Sequence, residues 1–286
     1  MLDFIVWDVN PEIFSFNLFG REFPIGWYGL LFALGFIVGQ QIMFYIFKKD
    51  GKPSSDVEML TMYVVIATVI SARLGHFIFY EWDFLLQDPW QWFLRLVIPP
   101  YSGLASHGAT IGILLALYLY SRKKADQSYL WVVDRVVITV SLGGAFIRLG
   151  NLMNSEIYGH PTDVPWAFLF VRETDPALLP VVPRHPTQIY ESLFCILLLI
   201  ITFWLWKKRR HVIPEGFISG VFIILLFTFR FFIEFLKNDQ VDFERNIALN
   251  MGQILSIPAV IFGIMVMVYA YKKRDYDKPN KKLVRH

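Results

Sequence analysis

The stretch ESLFCILLLIITFWLWKKRRHVIPEGFISGVFIILLFTFRFFIEF, residues 191–235, decides the fold class. Two apolar runs flank one basic loop, Lys207-Lys208-Arg209-Arg210. Each run approaches the ~20 apolar residues that a helix needs to cross a hydrocarbon core roughly 30 Å thick. The second run carries Arg230 and Glu234 in an otherwise apolar background. Charges at such depth are costly, so a chain that keeps them has a use for them.

The rest of the chain repeats the pattern. Residues are 55% hydrophobic, 17% aromatic and 18% charged. Soluble domains carry about 25% charged residues. Seven runs read as spanning helices, roughly 26–47, 57–80, 103–121, 129–149, 187–206, 215–236 and 252–271. The expectation is an all-α polytopic membrane protein, a single integral membrane domain over 1–286. Segments 81–102 and 150–186, rich in Trp and Pro, are expected to form a small outer cap with irregular or strand structure. The basic tail, 272–286, is expected to be cytoplasmic and partly disordered. The first 25 residues lack a basic segment followed by a compact apolar core, so the first apolar run is read as a retained helix rather than a cleaved signal. Cys195, the one cysteine, lies inside an apolar run and reads as buried filler.

Loop charge orients the chain. Loops 48–56, 122–128 and 207–214 and the tail hold seventeen of the 27 Lys and Arg residues; the other loops hold six. Cytoplasmic loops collect Lys and Arg, which puts the N-terminus outside and the C-terminus inside. The net charge of +3 is then a topology signal and not a sign of nucleic-acid binding.

Four basic residues remain, Arg73, Arg135, Arg148 and Arg230, all within expected spans. Arg135 sits beside Asp134 near an inner helix end, where pairing or snorkelling suffices. On this topology Arg73, His76, His107, Arg148, Arg230 and Glu234 share a similar depth in the outer half. That points to one polar cavity open to the outer leaflet. Simpler readings stand beside it: Arg230 and Glu234, four apart, also fit a structural ion pair, and a lone membrane histidine such as His76 fits a packing role.

Three polar strings flank this depth. SGLASHGA (102–109) sets His107 between small residues that allow close backbone approach. RLGNLMNSEIYG (148–159) offers the Arg148 fork, suited to phosphate. Its Asn151 and Asn154 suit ester or glycerol oxygens, and Glu156 can orient an arginine. Gly150 and Gly159 suit tight turns. RHPTQIYE (184–191) supplies His185, Gln188, Tyr190 and Glu191 where a helix starts, and helix capping alone also accounts for it. Near the start, WYGLL places Tyr28 at an outer helix end, a position that equally suits an aromatic belt.

Together with ARLGHFIFY (72–80), FRFFIEF (229–235) and MGQILS (251–256), these strings resemble the bacterial prolipoprotein diacylglyceryl transferases, in family order and over essentially the whole chain. Residues 148–159 look like that family's signature. The resemblance implies transfer of a diacylglyceryl group from phosphatidylglycerol to the lipobox cysteine of a prolipoprotein, at the outer face of the bacterial inner membrane. It implies functional positions at Tyr28, His107, Arg148, Asn151, Glu156, Gly159, Arg230 and Glu234. Two departures stand out. Ile147 replaces the usual glycine before the signature arginine. Lys237 stands where many relatives carry arginine, which keeps the charge and loses the bidentate fork.

The candidate catalytic residues are therefore His107, Arg148, Arg230 and Tyr28. Arg148, Asn151, Asn154, Glu156, Gly159, Arg73, Glu234, His185 and Gln188 are the candidate substrate-binding residues. No metal or other cofactor is expected. The expected partners are membrane lipids and the precursor's signal peptide, with the protein a monomer. The rival reading is a transporter or lipid-binding protein with an arginine-lined anion site; a transporter predicts polar residues through the full membrane depth.

Overall fold

A computed structural model describes residues 4–18, 20–98, 103, 105–173, 178–238 and 249–277. Expectations for Pro99, Pro100, Ser102, Leu104, Pro176, Arg245 and the tail beyond 277 lie outside these residues. The long helices are α1 (Trp27–Lys49), α2 (Ser54–Tyr80), α5 (Ser106–Lys123), α6 (Tyr129–Met153), α7 (Thr187–Arg209), α8 (Phe217–Ile233) and α9 (Met251–Asp277). Two short helices, α3 (Trp82–Gln87) and α4 (Pro89–Val97), follow α2. The strands are β1 (Ile5–Trp7), β2 (Glu12–Leu18), β3 (Arg21–Gly26) and β4 (Phe168–Phe170).

Among the described residues, six helices are long and apolar enough to cross a membrane: α1, α2, α6, α7, α8 with its 3-10 extension to Leu236, and α9. Helix α5 occupies the expected range, but its 18 residues open on Ser106-His107 and close on Arg122-Lys123. Outward faces are apolar, as on α2, where Met62, Ile66, Val69 and Ile70 are all exposed. Apolar area that extensive on a folded surface belongs against lipid rather than water.

The chain divides into two compact units, Met1–Gly39 with Asp134–His286, and Gln40–Val133. In the first, helices close on small residues and ring stacks. Phe194 of α7 stacks on Phe229 of α8 at 3.9 Å. A Cβ added at Gly144 would stand 3.0 Å from Cys195 Sγ, which leaves the thiol as filler between α6 and α7. Asp134 of α6 caps α8: its carboxylate accepts from Gly216 N and Ser219 N, both at 2.8 Å, and from Ser219 Oγ at 2.5 Å. A carboxylate on the positive end of a helix satisfies otherwise orphaned N–H donors.

In the second unit, α2 and α5 meet where Gly75 faces Gly108; a Cβ on Gly75 would lie 2.7 Å from Gly108 Cα. Small residues permit such approach when solvent drives no apolar association. Asp56 anchors the far end of this unit, accepting from Lys124 and Gln127, each at 2.5 Å.

The segments expected to be irregular are more regular than their composition suggests. Within 81–102, Asp88 accepts from Gln91 N at 3.0 Å and Pro89 opens α4, so the proline starts a helix instead of breaking one. Among the described residues of 150–186, β4 is the one strand; it pairs in parallel with β1, Ile5 opposite Phe168. A hairpin precedes α1, with Phe16 opposite Phe23 in the register of β2 and β3.

The Asp134 cap carries a direct expectation. Asp134→Ala removes three charge-assisted bonds, worth about 2 kcal/mol or more together. It should lower the thermal midpoint in detergent by about 4–8 °C. Asp134→Asn, which keeps one acceptor, should fall between. A midpoint unchanged by Asp134→Ala would remove the cap from the account of α8.

Candidate active site

The signature string closes α6. Arg148 and Asn151 lie in its last turns, and the chain then turns sharply at 154–157. Ser155 (φ 54°) and Ile157 (φ 59°) both adopt the left-handed region. For side chains with a Cβ this costs about 1 kcal/mol or more each, so the turn must be held from outside. The first turn of α7 holds it: Gln188 Nε2 donates to Glu156 O at 2.7 Å and Thr187 Oγ1 donates to Ile157 O at 3.0 Å. Glu156 is presented on the outside of this turn, its Oε1 accepting from Asn151 at 2.7 Å and Asn154 at 3.3 Å. Asn151 Oδ1 in turn accepts from Arg148 Nη1 at 3.3 Å.

From Arg148 a ladder of alternating charge crosses to α8. Arg148 Nη2 lies 3.2 Å from Glu191 Oε1. Lys237 Nζ donates to the same oxygen at 2.9 Å and lies 3.6 Å from Glu234 Oε1. Arg230 Nε lies 3.6 Å from that Glu234 oxygen. Asn250 Nδ2 donates to Glu234 Oε2 at 3.3 Å. The middle of the ladder is buried and its ends are open. Side-chain exposure is 3% for Lys237 and 5% for Glu234, against 45% for Arg230. Arg148 stands between, at 23%. Buried charges persist only when paired. Here pairing fixes the middle three and leaves the Arg230 guanidinium well exposed and that of Arg148 partly so.

Gly159 ties the turn to the ladder. It bridges antiparallel to Lys237, its N–H donates to His185 O at 2.8 Å, and His160 N donates to Leu236 O at 2.8 Å. A Cβ at Gly159 would strike Leu236 O and come within 2.8 Å of His185 Cβ. Tyr28, in the first turn of α1, lies over Gly150, where an added Cβ would meet Tyr28 Cδ2 at 2.7 Å. His185 hydrogen-bonds through Nδ1 to Tyr190 Oη at 3.3 Å. Burial, and then the nearby His160, lower the His185 pKa from 6.5. The unfolded chain then binds the proton more readily, so this group costs stability as pH falls below 6.5.

The other candidates belong to the second unit. His107, exposed in the first turn of α5, packs edge-on against Phe79 at 4.6 Å. Arg73 is buried, and its guanidinium donates to the carbonyls of Arg95 at 2.5 Å and Gly103 at 3.4 Å. Arg95 lies in the last turn of α4, where orphaned carbonyls favour a cation. Among the sequence candidates, Arg73 and Gln188 reach backbone carbonyls, while Arg148, Asn151, Asn154, Glu156, Gly159, Arg230 and Glu234 join one network. Glu191, Lys237 and Asn250 belong to that network and were absent from the candidate set. Glu191 and Lys237 had drawn notice for hydrogen-bonding capacity and for a departure from family pattern. Asn250, just before MGQILS, carried no signal. Among the described residues, no group of three or more His, Cys, Asp or Glu side chains is placed to hold a metal.

These features define the class, a helical membrane protein that carries an arginine-ended polar network built on α6, α7 and α8. The family model for prolipoprotein diacylglyceryl transferase matches residues 14–269. A phosphatidylglycerol–prolipoprotein diacylglyceryl transferase of Chloroherpeton thalassium is 41% identical over 278 residues, covering 96% of this chain and 97% of the relative. One of the same name from Porphyromonas gingivalis is 43% identical over 280 residues, 94% and 95% of the two chains. One from Vibrio cholerae is 34% identical over 276 residues, 94% of each. The chain belongs to the prolipoprotein diacylglyceryl transferase family.

Gly159→Ala tests the join between turn and ladder. Overpacking of this kind costs about 1–3 kcal/mol. The variant should lose activity at least about tenfold and unfold at lower temperature. Wild-type turnover would show that the join tolerates a methyl group.

Proposed function

We propose that this protein transfers the diacylglyceryl group of phosphatidylglycerol to the lipobox cysteine thiol of a prolipoprotein. The sulfur attacks the glyceryl carbon that bears the phosphate, a C–S bond forms, the C–O bond breaks, and glycerol phosphate departs. The observation that carries this reading is the pair of guanidinium groups, Arg148 and Arg230, at the two ends of a ladder of alternating charge whose middle is buried. A planar fork suits phosphate, and a fixed cation near the scissile C–O bond stabilises the charge that develops on the leaving group.

The roles follow from residue chemistry. Arg148 and Arg230 hold lipid phosphate and stabilise the leaving group. Asn151 and Asn154 direct the glyceryl part, Glu156 and Glu234 orient arginines, and Tyr28 shapes the entrance beside Gly150. His107 is the candidate base for a thiol whose ordinary pKa is near 8.5; its support is its residue type and the SHGA string. The reading needs no metal or cofactor. Phosphatidylglycerol and the precursor's signal segment both reach the outer interface. We accordingly propose seven spans, with α5 as the third, the N-terminus outside, the C-terminus in the cytoplasm, and the site facing the outer leaflet of the bacterial inner membrane in a monomer.

The test uses purified protein, phosphatidylglycerol and a synthetic lipobox peptide, with mass spectrometry of the peptide. One added diacylglyceryl unit on the cysteine is expected. Arg148→Ala should lower the rate about 10²-fold or more, and His107→Gln by about 10²–10⁴-fold at neutral pH. A folded protein that leaves a matched peptide unmodified overturns the assignment; full activity of His107→Gln removes that residue as an obligatory base.

A further inference from the structure

Lys237 stands at the position where the family pattern suggests a phosphate-holding arginine, yet its surroundings give it different work. Its side chain is 3% exposed, and its ammonium is shared between Glu191 Oε1 at 2.9 Å and Glu234 Oε1 at 3.6 Å. Those two carboxylates are the ones that meet Arg148 at 3.2 Å and Arg230 at 3.6 Å. The antiparallel bridge to Gly159 fixes its backbone. No lipid phosphate reaches an ammonium so enclosed.

We infer that Lys237 is a positioning residue: one buried ammonium that bridges Glu191 and Glu234 and so keeps Arg148 and Arg230 available to substrate phosphate. This rests on the transferase reading above. The reasoning is electrostatic. A compact point charge with three donors can serve two carboxylates at once. Without it, Glu191 and Glu234 are buried anions short of a partner, and their remaining cations are the two arginines. Each arginine is then drawn fully onto its carboxylate, because an unpaired buried charge is the costlier alternative. A guanidinium neutralised in this way is a poorer phosphate ligand. The second oxygen of Glu191, Oε2, is buried with no hydrogen-bond partner. That carboxylate therefore has capacity to take a second bond from the Arg148 fork once Lys237 is gone.

The experiment measures three things on Lys237→Met, Lys237→Arg and the double variant Glu191→Gln/Lys237→Met: the thermal midpoint, the kcat and KM of peptide modification, and binding of glycerol 1-phosphate to detergent-purified protein. Lys237→Met should lower kcat about tenfold or more and weaken glycerol 1-phosphate binding by a similar factor. Lys237→Arg, which restores a cation, should recover most of both. The double variant removes a buried charge of each sign, so it should fold even where Lys237→Met does not. Its kcat should stay low, since Arg148 has lost its anchor. Wild-type kcat and binding per folded molecule in Lys237→Met or in the double variant, with only the midpoint changed, would reduce Lys237 to a structural residue and overturn the inference. So would failure of Lys237→Arg to recover either quantity. If the wild-type protein modifies no peptide, the transferase reading fails by itself, and the binding arm still decides whether Lys237 governs the phosphate site.

Discussion

A buried carboxylate that must find a cation is the constraint on which the rest of this structure depends. Glu191 and Glu234 start from different helices, are both nearly enclosed, and converge on one ammonium. In a medium of low dielectric, each requires a partner at close range. Meeting that demand brings the start of α7, the end of α8 and the segment around Asn250 to one place. The strained turn after α6 is drawn in with them through Gln188, Thr187 and Gly159. The polar network thus joins α6, α7 and α8, which elsewhere meet through the Phe194–Phe229 stack and the Asp134 cap.

The same constraint accounts for where freedom is left. A guanidinium on an apolar helix face has five donors and several ways to satisfy them. In this network each arginine gives up part of its capacity to a carboxylate and keeps the rest. Arg148 contacts Glu191 and Asn151, while Arg230 has only a 3.6 Å approach to Glu234 and stays 45% exposed. Fixed cations need little reorganisation when charge develops nearby, which is the condition for electrostatic stabilisation of a leaving group. Arg73 makes the contrast plain. It donates to the carbonyls of Arg95, in the last turn of α4, and of Gly103, and it is buried.

Much of this was legible in the sequence, and the physical reasons differ by feature. Long apolar runs reveal helices because about 20 consecutive apolar residues have few other uses, and among the described residues six of the seven expected spans are helices long and apolar enough to cross a membrane. Arg148, Arg230 and Glu234 were legible because charge inside such runs is expensive. Lys237 and Glu191 were harder to read. They sit at span edges, where a charge needs no special explanation, and only tertiary structure reveals that both are enclosed. The β2–β3 hairpin was missed because its alternation, Phe14, Phe16 and Leu18, runs for seven residues in a segment broken by Pro, Gly and acidic residues. Helix α4 was missed because a segment rich in Trp and Pro reads as irregular, whereas Pro89 after Asp88 is a helix start.

The departures from family pattern reward the same reasoning. An arginine at position 237 offers a planar fork and five donors; a lysine offers a point charge on a flexible stem. For a residue that must grip an open phosphate, the exchange is a loss. For a residue between two buried carboxylates on different elements, a point charge is sufficient, because each carboxylate needs one good donor and neither needs a coplanar partner. The burial of Lys237, and its 2.9 Å and 3.6 Å approaches to two acids, place it in the second situation. A substitution that looks like weakened substrate binding in the linear sequence therefore costs little in three dimensions, because the position faces inward and the proposed phosphate ligands, Arg148 and Arg230, are its neighbours' partners.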